Sequence, residues 1–264
     1  IIGIGKIGSL YADILAQRGA ELLTVDPNTS SLGESSHYPA LSTVPSKAAA
    51  TIDFWLICTP TSTHVDVLES ILALDTSARV LLEKPACVPG EIPRLQRLLR
   101  AHPKARVLVN DIYGRSPVID RFTHQVARLR KKSPIKSIHI EFTKNRLKDN
   151  LAGRFVDRDY GSIGYEWFHM LSVLKAALGP SDFNAYLDQP LAYSRFTDKI
   201  TEYTAAWGMP EIRLFSSMHG LIQHAPRHLL MAYRQPESRR MIASGIIPWG
   251  SEFRYRVADV QFEN

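Results

Sequence analysis

Cysteine is scarce. Cys58 and Cys87 are the only two in 264 residues, which excludes a disulfide scaffold and a thiolate metal cluster built from cysteine alone. Both lie in apolar stretches, which suits reduced thiols and predicts a cytoplasmic location. Long apolar runs are also missing. Nothing approaches the roughly 18 uncharged residues of a membrane-spanning helix, so no membrane partner is expected. Zinc-ligand spacing, an RNA-binding aromatic motif and a helix-turn-helix pattern are absent, as are internal repeats and low-complexity tracts. What remains is ordinary globular composition, 45% hydrophobic and 22% charged, in a length that fits one large domain or two modest ones. The chain opens on Ile1, in what reads as the interior of a strand, so a few preceding residues are expected and a targeting segment is left open.

Negative charge is thin in one region. Residues 94–148 hold 15 Lys and Arg against Asp111, Asp120 and Glu141, while the rest of the chain is net acidic. Such a stripe steers anions. Without any nucleic-acid motif it reads as a solvated helix face around Arg121, Arg128, Arg130, Lys131 and Lys132, with an anionic small molecule as the alternative and no nucleic acid.

Apolar periodicity alternates along the first 110 residues. Strands are predicted at Ile1–Ile4, Glu21–Val25, Phe54–Cys58, Arg79–Leu82 and Arg106–Val109, with helices at Ile7–Gln17, Thr63–Leu74 and Ile92–Leu99. The strands are nearly continuous apolar runs, as in a parallel sheet covered on both faces. Beyond residue 111 the rhythm changes. Helices are predicted at Val118–Leu129 and Ser162–Leu178, the latter stopped by Gly179-Pro180. Strands are predicted at Ile135–Phe142, Phe183–Leu187, Thr201–Trp207, Ile212–Met218, Leu229–Tyr233, Met241–Ser244 and Glu252–Phe262. Successive strands without helices between them argue an antiparallel sheet. The expected fold class is α/β: a doubly wound parallel domain over residues 1–111, then an α+β domain over 112–264 with a large, mostly antiparallel sheet.

Chemistry concentrates where the predicted strands end. Gly3-Ile4-Gly5-Lys6-Ile7-Gly8 follows a strand and opens a helix, the setting in which G-x-G-x-x-G cradles a dinucleotide. Gly3 allows the tight turn, Gly5 a close approach of backbone to pyrophosphate, and Gly8 close packing of helix on strand. The helix N-terminus, opening at Lys6 and Ile7, supplies free N–H donors to the phosphates. Asp26 ends the second strand, 18 residues past Gly8, where a carboxylate accepts hydrogen bonds from ribose hydroxyls and repels a 2′-phosphate. The cofactor expected is therefore NAD, with NADP as the alternative. The turn Cys58-Thr59-Pro60-Thr61-Ser62-Thr63-His64 ends a buried strand at the edge that faces a ligand crevice. Glu83-Lys84-Pro85 follows the next strand, and a cis bond there would aim the lysine ammonium at the crevice.

Together these segments, with the later helix carrying His169, resemble the Gfo/Idh/MocA family of NAD(P)-dependent oxidoreductases, relatives of glucose–fructose oxidoreductase and inositol dehydrogenase. The resemblance implies a Rossmann domain followed by an α/β domain with a mostly antiparallel sheet. It implies that Thr59, Pro60, Thr61, His64, Glu83 and Lys84 line the cofactor and that Asn110 lies near the nicotinamide. Tyr113 and Arg115 match the family segment that follows, on the substrate side. Family members place an acid four residues before the catalytic histidine. Here Tyr165 stands in that position and Glu166 is displaced by one, three residues before His169 on a predicted helix.

The implied activity is hydride transfer between nicotinamide and a secondary alcohol or ketone of a sugar, cyclitol or related intermediate, with no metal. Reduction of a C=N bond and a non-catalytic NAD-sensing role stand as alternatives. His169 is expected to act as general acid/base and Lys84 to hold the substrate oxygen and the nicotinamide ribose. Arg115, Arg146, Lys148, Arg154 and Arg158 suggest an anionic substrate. Pairing of exposed sheets implies a homodimer or homotetramer. Family members run longer, so a missing C-terminal part or missing internal loops are also expected.

Overall fold

The computed structural model describes residues 1–28, 36–144, 146, 160, 163–196, 200–207, 210–218, 222–223 and 254–263. The chain divides into two compact units, Ile1–Asn110 and Asp111–Asn264. Asp111 belongs with the second because its carboxylate receives the Gly114 N–H at 2.9 Å and the Ser172 hydroxyl at 2.7 Å.

In the first unit, three short apolar runs form β3 (Trp55–Ile57), β4 (Arg79–Leu82) and β5 (Arg106–Val109), paired in parallel in that order. Strands β1 (Leu23–Val25) and β2 (Ser36–Tyr38) form a second parallel pair. The opening residues join the two. Ile2 bridges Val25 on one side and Ile57 on the other, and its N–H donates to Leu56 O at 2.8 Å. The parallel order is therefore β2, β1, the Ile1–Gly3 segment, β3, β4, β5.

Period two divides the apolar residues between the faces. Ile2, Val25, Ile57, Val80 and Leu82 pack against Val65, Leu68, Ile71 and Leu72 of α3 (His64–Leu74). Ile1, Leu56 and Leu81 pack against Tyr11, Ala12 and Leu15 of α1 (Lys6–Ala16). Each fully buried Leu or Ile contributes about 1.5–3 kcal/mol relative to exposure. Covered on both faces, the strands need no polar alternation, which is why they read as continuous apolar runs. Short helix α2 (Ser46–Ala49) precedes β3, and α4 (Ile92–Ala101) lies between β4 and β5.

The second unit opens with α5 (Pro117–Arg130) and the long strand β6 (Ile135–Lys144). A π-helical turn, Ile163–Trp167, runs into α6 (Phe168–Leu178). The single long helix expected here is thus two windings, with Ser162 outside the described residues. Gly179, at φ +82°, ends α6, and Pro180 starts α7 (Pro180–Leu187). The strand expected at Phe183–Leu187 is therefore a helix. Proline fixes the first helical φ, Asp182 sits in the first turn, and Phe183 and Tyr186, three apart, meet at a ring distance of 6.4 Å.

Strands β7 (Ala192–Phe196), β8 (Ile200–Ala206), β9 (Glu211–Ser217) and β10 (Arg254–Phe262) complete a sheet of order β10-β6-β9-β8-β7. β7–β8, β8–β9 and β10–β6 pair antiparallel, while β6–β9 pairs in parallel. Among the described residues, two helices and strands β7 and β8 separate β6 from β9, a crossover long enough for β9 to lie parallel to β6. Ile138, Ile140, Phe142, Ile212 and Leu214 face Met170, Val173, Leu174, Ala177 and Leu178 of α6. The strands expected at Leu229–Tyr233 and Met241–Ser244 lie outside the described residues. No described helix is long and apolar enough to cross a membrane.

Gly179→Ala tests the link between α6 and α7. A Cβ there meets nothing within 4 Å, so only the left-handed backbone opposes it. The expected loss is about 1–2 kcal/mol in urea unfolding, with the fold retained.

Candidate functional site

The glycine turn is built by close approach. Gly3 adopts φ +86°, and a Cβ on it would stand 2.8 Å from Cys58 C and from Thr59 N. A Cβ on Gly8 would lie 1.9 Å from Gly3 O, so α1 and the Ile1–Gly3 segment touch as backbones. Gly5 differs from both, since a Cβ there meets nothing within 4 Å. It caps α1, whose first turn carries neither a side-chain cap nor an acid. The helix N–H groups are thus left to a ligand. Lys6 and Ile7 are exposed at this end.

Asp26 closes the turn. Its Oδ2 accepts the Ile4 N–H at 2.7 Å and its Oδ1 the Asn28 N–H at 2.8 Å. A carboxylate has about four acceptor positions, so both oxygens retain capacity for ribose hydroxyls. Thr29 and Ser30 lie outside the described residues.

Thr59 Oγ1, after β3, is buried without a hydrogen-bond partner. Pro60 is exposed and Thr61 buried. His64 departs from its expected role of touching the cofactor. It is 1% exposed, with Nδ1 2.9 Å from Pro85 O and Nε2 2.9 Å from Thr59 O. Both ring nitrogens face backbone carbonyls, which leaves none for a ligand.

After β4, Glu83 N–H donates to Ile57 O at 3.0 Å, and the Lys84-Pro85 bond is cis. Glu83 Oε1 accepts the Tyr11 hydroxyl at 3.1 Å and the Asn110 amide at 2.7 Å. The same Asn110 nitrogen donates to Tyr11 Oη at 2.9 Å. The Asn110 amide nitrogen and Glu83 Oε1 are therefore bound to each other. Tyr11 was missed from sequence because it occupies an apolar position of α1, and nothing local marks its hydroxyl. Burial, then the Glu83 charge, push the Cys58 thiol up to about 12.

In the second unit, the Tyr113 ring lies 4.9 Å from the His169 ring and 5.3 Å from Phe142. His169 is 8% exposed on α6. Glu166 is 2% exposed and does not serve as the simple helical neighbour expected. Its Oε1 lies 3.5 Å from Arg146 Nη2 and its Oε2 3.3 Å from Arg256 Nη2. The π winding (hydrogen bonds to i+5) changes which residues share a face, so α-helical spacing fails here. Two guanidiniums compensate a carboxylate that would be costly to bury alone.

Tyr165 lies under Arg146, 4.1 Å from guanidinium to ring centre. Arg256 donates to the Tyr113 hydroxyl and lies over both Tyr113 and Phe142. Arg256 was also missed, since a strand arginine remote in sequence carries no motif. Arg115 is exposed, while Lys148, Arg154 and Arg158 lie outside the described residues. No metal-binding group of three or more His, Cys, Asp or Glu occurs among the described residues.

The first unit thus fits a dinucleotide: an open place at Gly5, an orphaned hydroxyl at Thr59 and a carboxylate at the end of β1. Residues 1–110 match the Gfo/Idh/MocA model, described as oxidoreductase family, NAD-binding Rossmann fold. The match spans the whole of the first unit and stops where the second begins. Among curated proteins, none matches the chain.

Among solved structures, the WlbA (WbpB) dehydrogenase from Thermus thermophilus, with NAD and alpha-ketoglutarate, is 18% identical at a TM-score of 0.65. The match covers 98% of this chain and 79% of that one. Scyllo-inositol dehydrogenase from Lactobacillus casei, with NAD(H) and scyllo-inositol, is 15% identical at a TM-score of 0.61. It covers 83% of this chain and 69% of that one. These likenesses extend the shared fold into the second unit.

Two substitutions separate cradle from scaffold. Gly5→Ala is expected to leave stability within about 0.5 kcal/mol but weaken NADH binding about tenfold, by blocking the pyrophosphate approach. Gly8→Ala drives a methyl into Gly3 O and is expected to cost about 1–3 kcal/mol, read by urea unfolding.

Cys58 provides a pH test. At pH 8 its native thiol stays protonated, so iodoacetamide should label it about tenfold more slowly than in urea. Its folded value lies above the unfolded one, so its protonated form supports the fold at low pH. That contribution should fade as pH rises from about 9 toward about 12.

Proposed function

We propose that the protein is an NAD-dependent dehydrogenase acting on a secondary alcohol or ketone of a sugar or cyclitol. The observation that carries this reading is the Gly5 cradle. It is closed beneath by the Gly3–Gly8 contact, bounded by Asp26, and open where a diphosphate would meet the start of α1. The dinucleotide supplies hydride chemistry when bound; the chain supplies grip, orientation and proton handling.

In this assignment the α1 N–H groups and Gly5 hold the diphosphate, and Asp26 accepts from the adenosine ribose hydroxyls. The Thr59 hydroxyl and the Asn110 amide oxygen add polar contacts along the strand ends. Lys84, in the first unit, donates to the reacting oxygen and stabilises its negative charge. His169, in the second, takes the hydroxyl proton in oxidation and returns it in reduction. Tyr113 packs its tilted ring against His169 and limits the rotation of that ring, and Glu166 holds Arg256 beside Tyr113.

Similar structures support the substrate class. One was solved with scyllo-inositol, and another T. thermophilus WlbA structure with NAD and UDP-GlcNAcA, at 16% identity and a TM-score of 0.62 over 98% of this chain and 79% of that one. The Arg256 side chain, 35% exposed beside Tyr113, favours a substrate carrying negative charge. We assign the second unit to substrate binding and to self-association as a homodimer or homotetramer in the cytoplasm.

The test is NADH fluorescence titration followed by NAD reduction with UDP-GlcNAcA, scyllo-inositol and related sugars. Lys84→Ala and His169→Gln should each lower kcat by about 10²–10⁴, while NADH affinity shifts by less than about threefold. Failure of the native chain to bind NADH, or full turnover in both variants, would refute the assignment.

A further inference from the structure

The Lys84 turn is secured from both ends by side chains that are not themselves assigned to the reacting atoms. On the near side, Glu83 is tied to α1 and to the end of β5. Its Oε1 receives the Tyr11 hydroxyl at 3.1 Å and the Asn110 amide at 2.7 Å, and Asn110 also donates to Tyr11 Oη at 2.9 Å. The three side chains form a closed triangle, so Glu83 cannot swing without breaking two hydrogen bonds. Burial and the Glu83 charge push the Tyr11 hydroxyl well above its ordinary range, so it stays a donor. On the far side, Pro85 O lies 2.9 Å from His64 Nδ1.

The other ring nitrogen of His64 lies 2.9 Å from Thr59 O. Thr59 in turn borders the glycine turn, since its backbone nitrogen stands 2.8 Å from where a Gly3 Cβ would be. His64, 1% exposed, therefore couples the loop after β3 to the loop after β4. A carbonyl can only accept, so the ring donates its N–H to one of the two carbonyls and lies edge-on against the other. A glutamine at this position has one terminal nitrogen where the ring has two well-separated ones, and it cannot span both carbonyls in the same way.

We propose that Tyr11 and His64 are positioning residues for Lys84, one fixing the residue before it and the other the residue after it. This rests on the reading of Lys84 given above. The physical need is plain. A lysine stem has four rotatable carbons, and the ammonium is a point charge whose effect depends on where its base is pinned. Displacement of a reacting group by about 1 Å can cost about a hundredfold in rate. The surroundings of a working group are what hold it within that tolerance.

The test uses Tyr11→Phe and His64→Gln in the full chain, beside the native protein and Lys84→Ala. Phenylalanine keeps the packing of α1 and removes only the donor, so it reports even if the histidine variant folds poorly. The direct readout is labelling of lysines by an amine-reactive ester, followed by peptide mass spectrometry with and without NADH. Exposed Lys47 and Lys104 serve as internal references.

In both variants the Lys84 labelling rate should change at least about threefold against the references, while the melting temperature stays within a few degrees for Tyr11→Phe. With an active substrate, kcat should fall about tenfold or more while NADH affinity moves less than about threefold. Labelling of Lys84 that matches the native chain in Tyr11→Phe, with and without NADH, would overturn the proposal. Absence of NADH binding in the native chain would instead remove the functional assignment, and the labelling result would still judge the turn.

Discussion

Gly3 O occupies the space that any side chain at position 8 would need, and the first unit is arranged around that contact. It brings the start of α1 onto the strand segment that joins β1 to β3. It leaves Gly5 as the one glycine of the turn with open space beside it. Asp26 then fixes the turn from the neighbouring strand by accepting the Ile4 N–H. The helix terminus is presented at the carboxyl edge of a parallel sheet because backbone meets backbone there. A family of dinucleotide-binding domains follows from that geometry, and the fold beyond it supports the loops that carry Glu83, Lys84 and Thr59.

The second unit is governed by a different constraint, the burial of a full charge. Glu166 gives up nearly all contact with water, and two guanidiniums restore part of what it loses. Removing either partner would leave a buried carboxylate short of compensation, which is more costly than the pair is stabilising. The aromatic surroundings follow from the same arrangement. Arg146 lies over Tyr165, and Arg256 lies over Tyr113 and Phe142, so each flat cation rests one face on aromatic rings. His169 is drawn into this cluster through Tyr113.

The first unit was legible in sequence because its signals are local. A buried parallel strand writes itself as an apolar run, and the glycine turn needs particular residues at particular positions. Arg79–Leu82 and Arg106–Val109 carry the same bounds in both readings. What was hidden depends on partners remote in sequence. Tyr11 looks like any apolar helix position until Glu83 and Asn110 arrive beside it, and Arg256 has no neighbour in sequence to announce it. His64 was expected at a ligand, yet the fold turns its ring inward to two carbonyls. The segment after Gly179 was misread because Phe183, Tyr186 and Leu187 satisfy a short strand pattern as easily as a helix. Pro180 and the left-handed Gly179 decide it. The π turn is set by packing, and composition does not reveal it.

The place of β10 in the sheet bears on how the chain is made. β6 is flanked by β9 and β10, and its partner on one flank is the last described strand, Arg254–Phe262. During synthesis the first unit can complete its parallel sheet once Val109 has emerged, while the β10 edge of β6 waits for more than a hundred further residues. Domains that emerge first fold first, and an unpaired strand edge invites association with other chains in the interval. The second unit therefore carries an open strand edge for longer during synthesis than the first. A chain released early would carry a finished nucleotide domain attached to an open sheet edge.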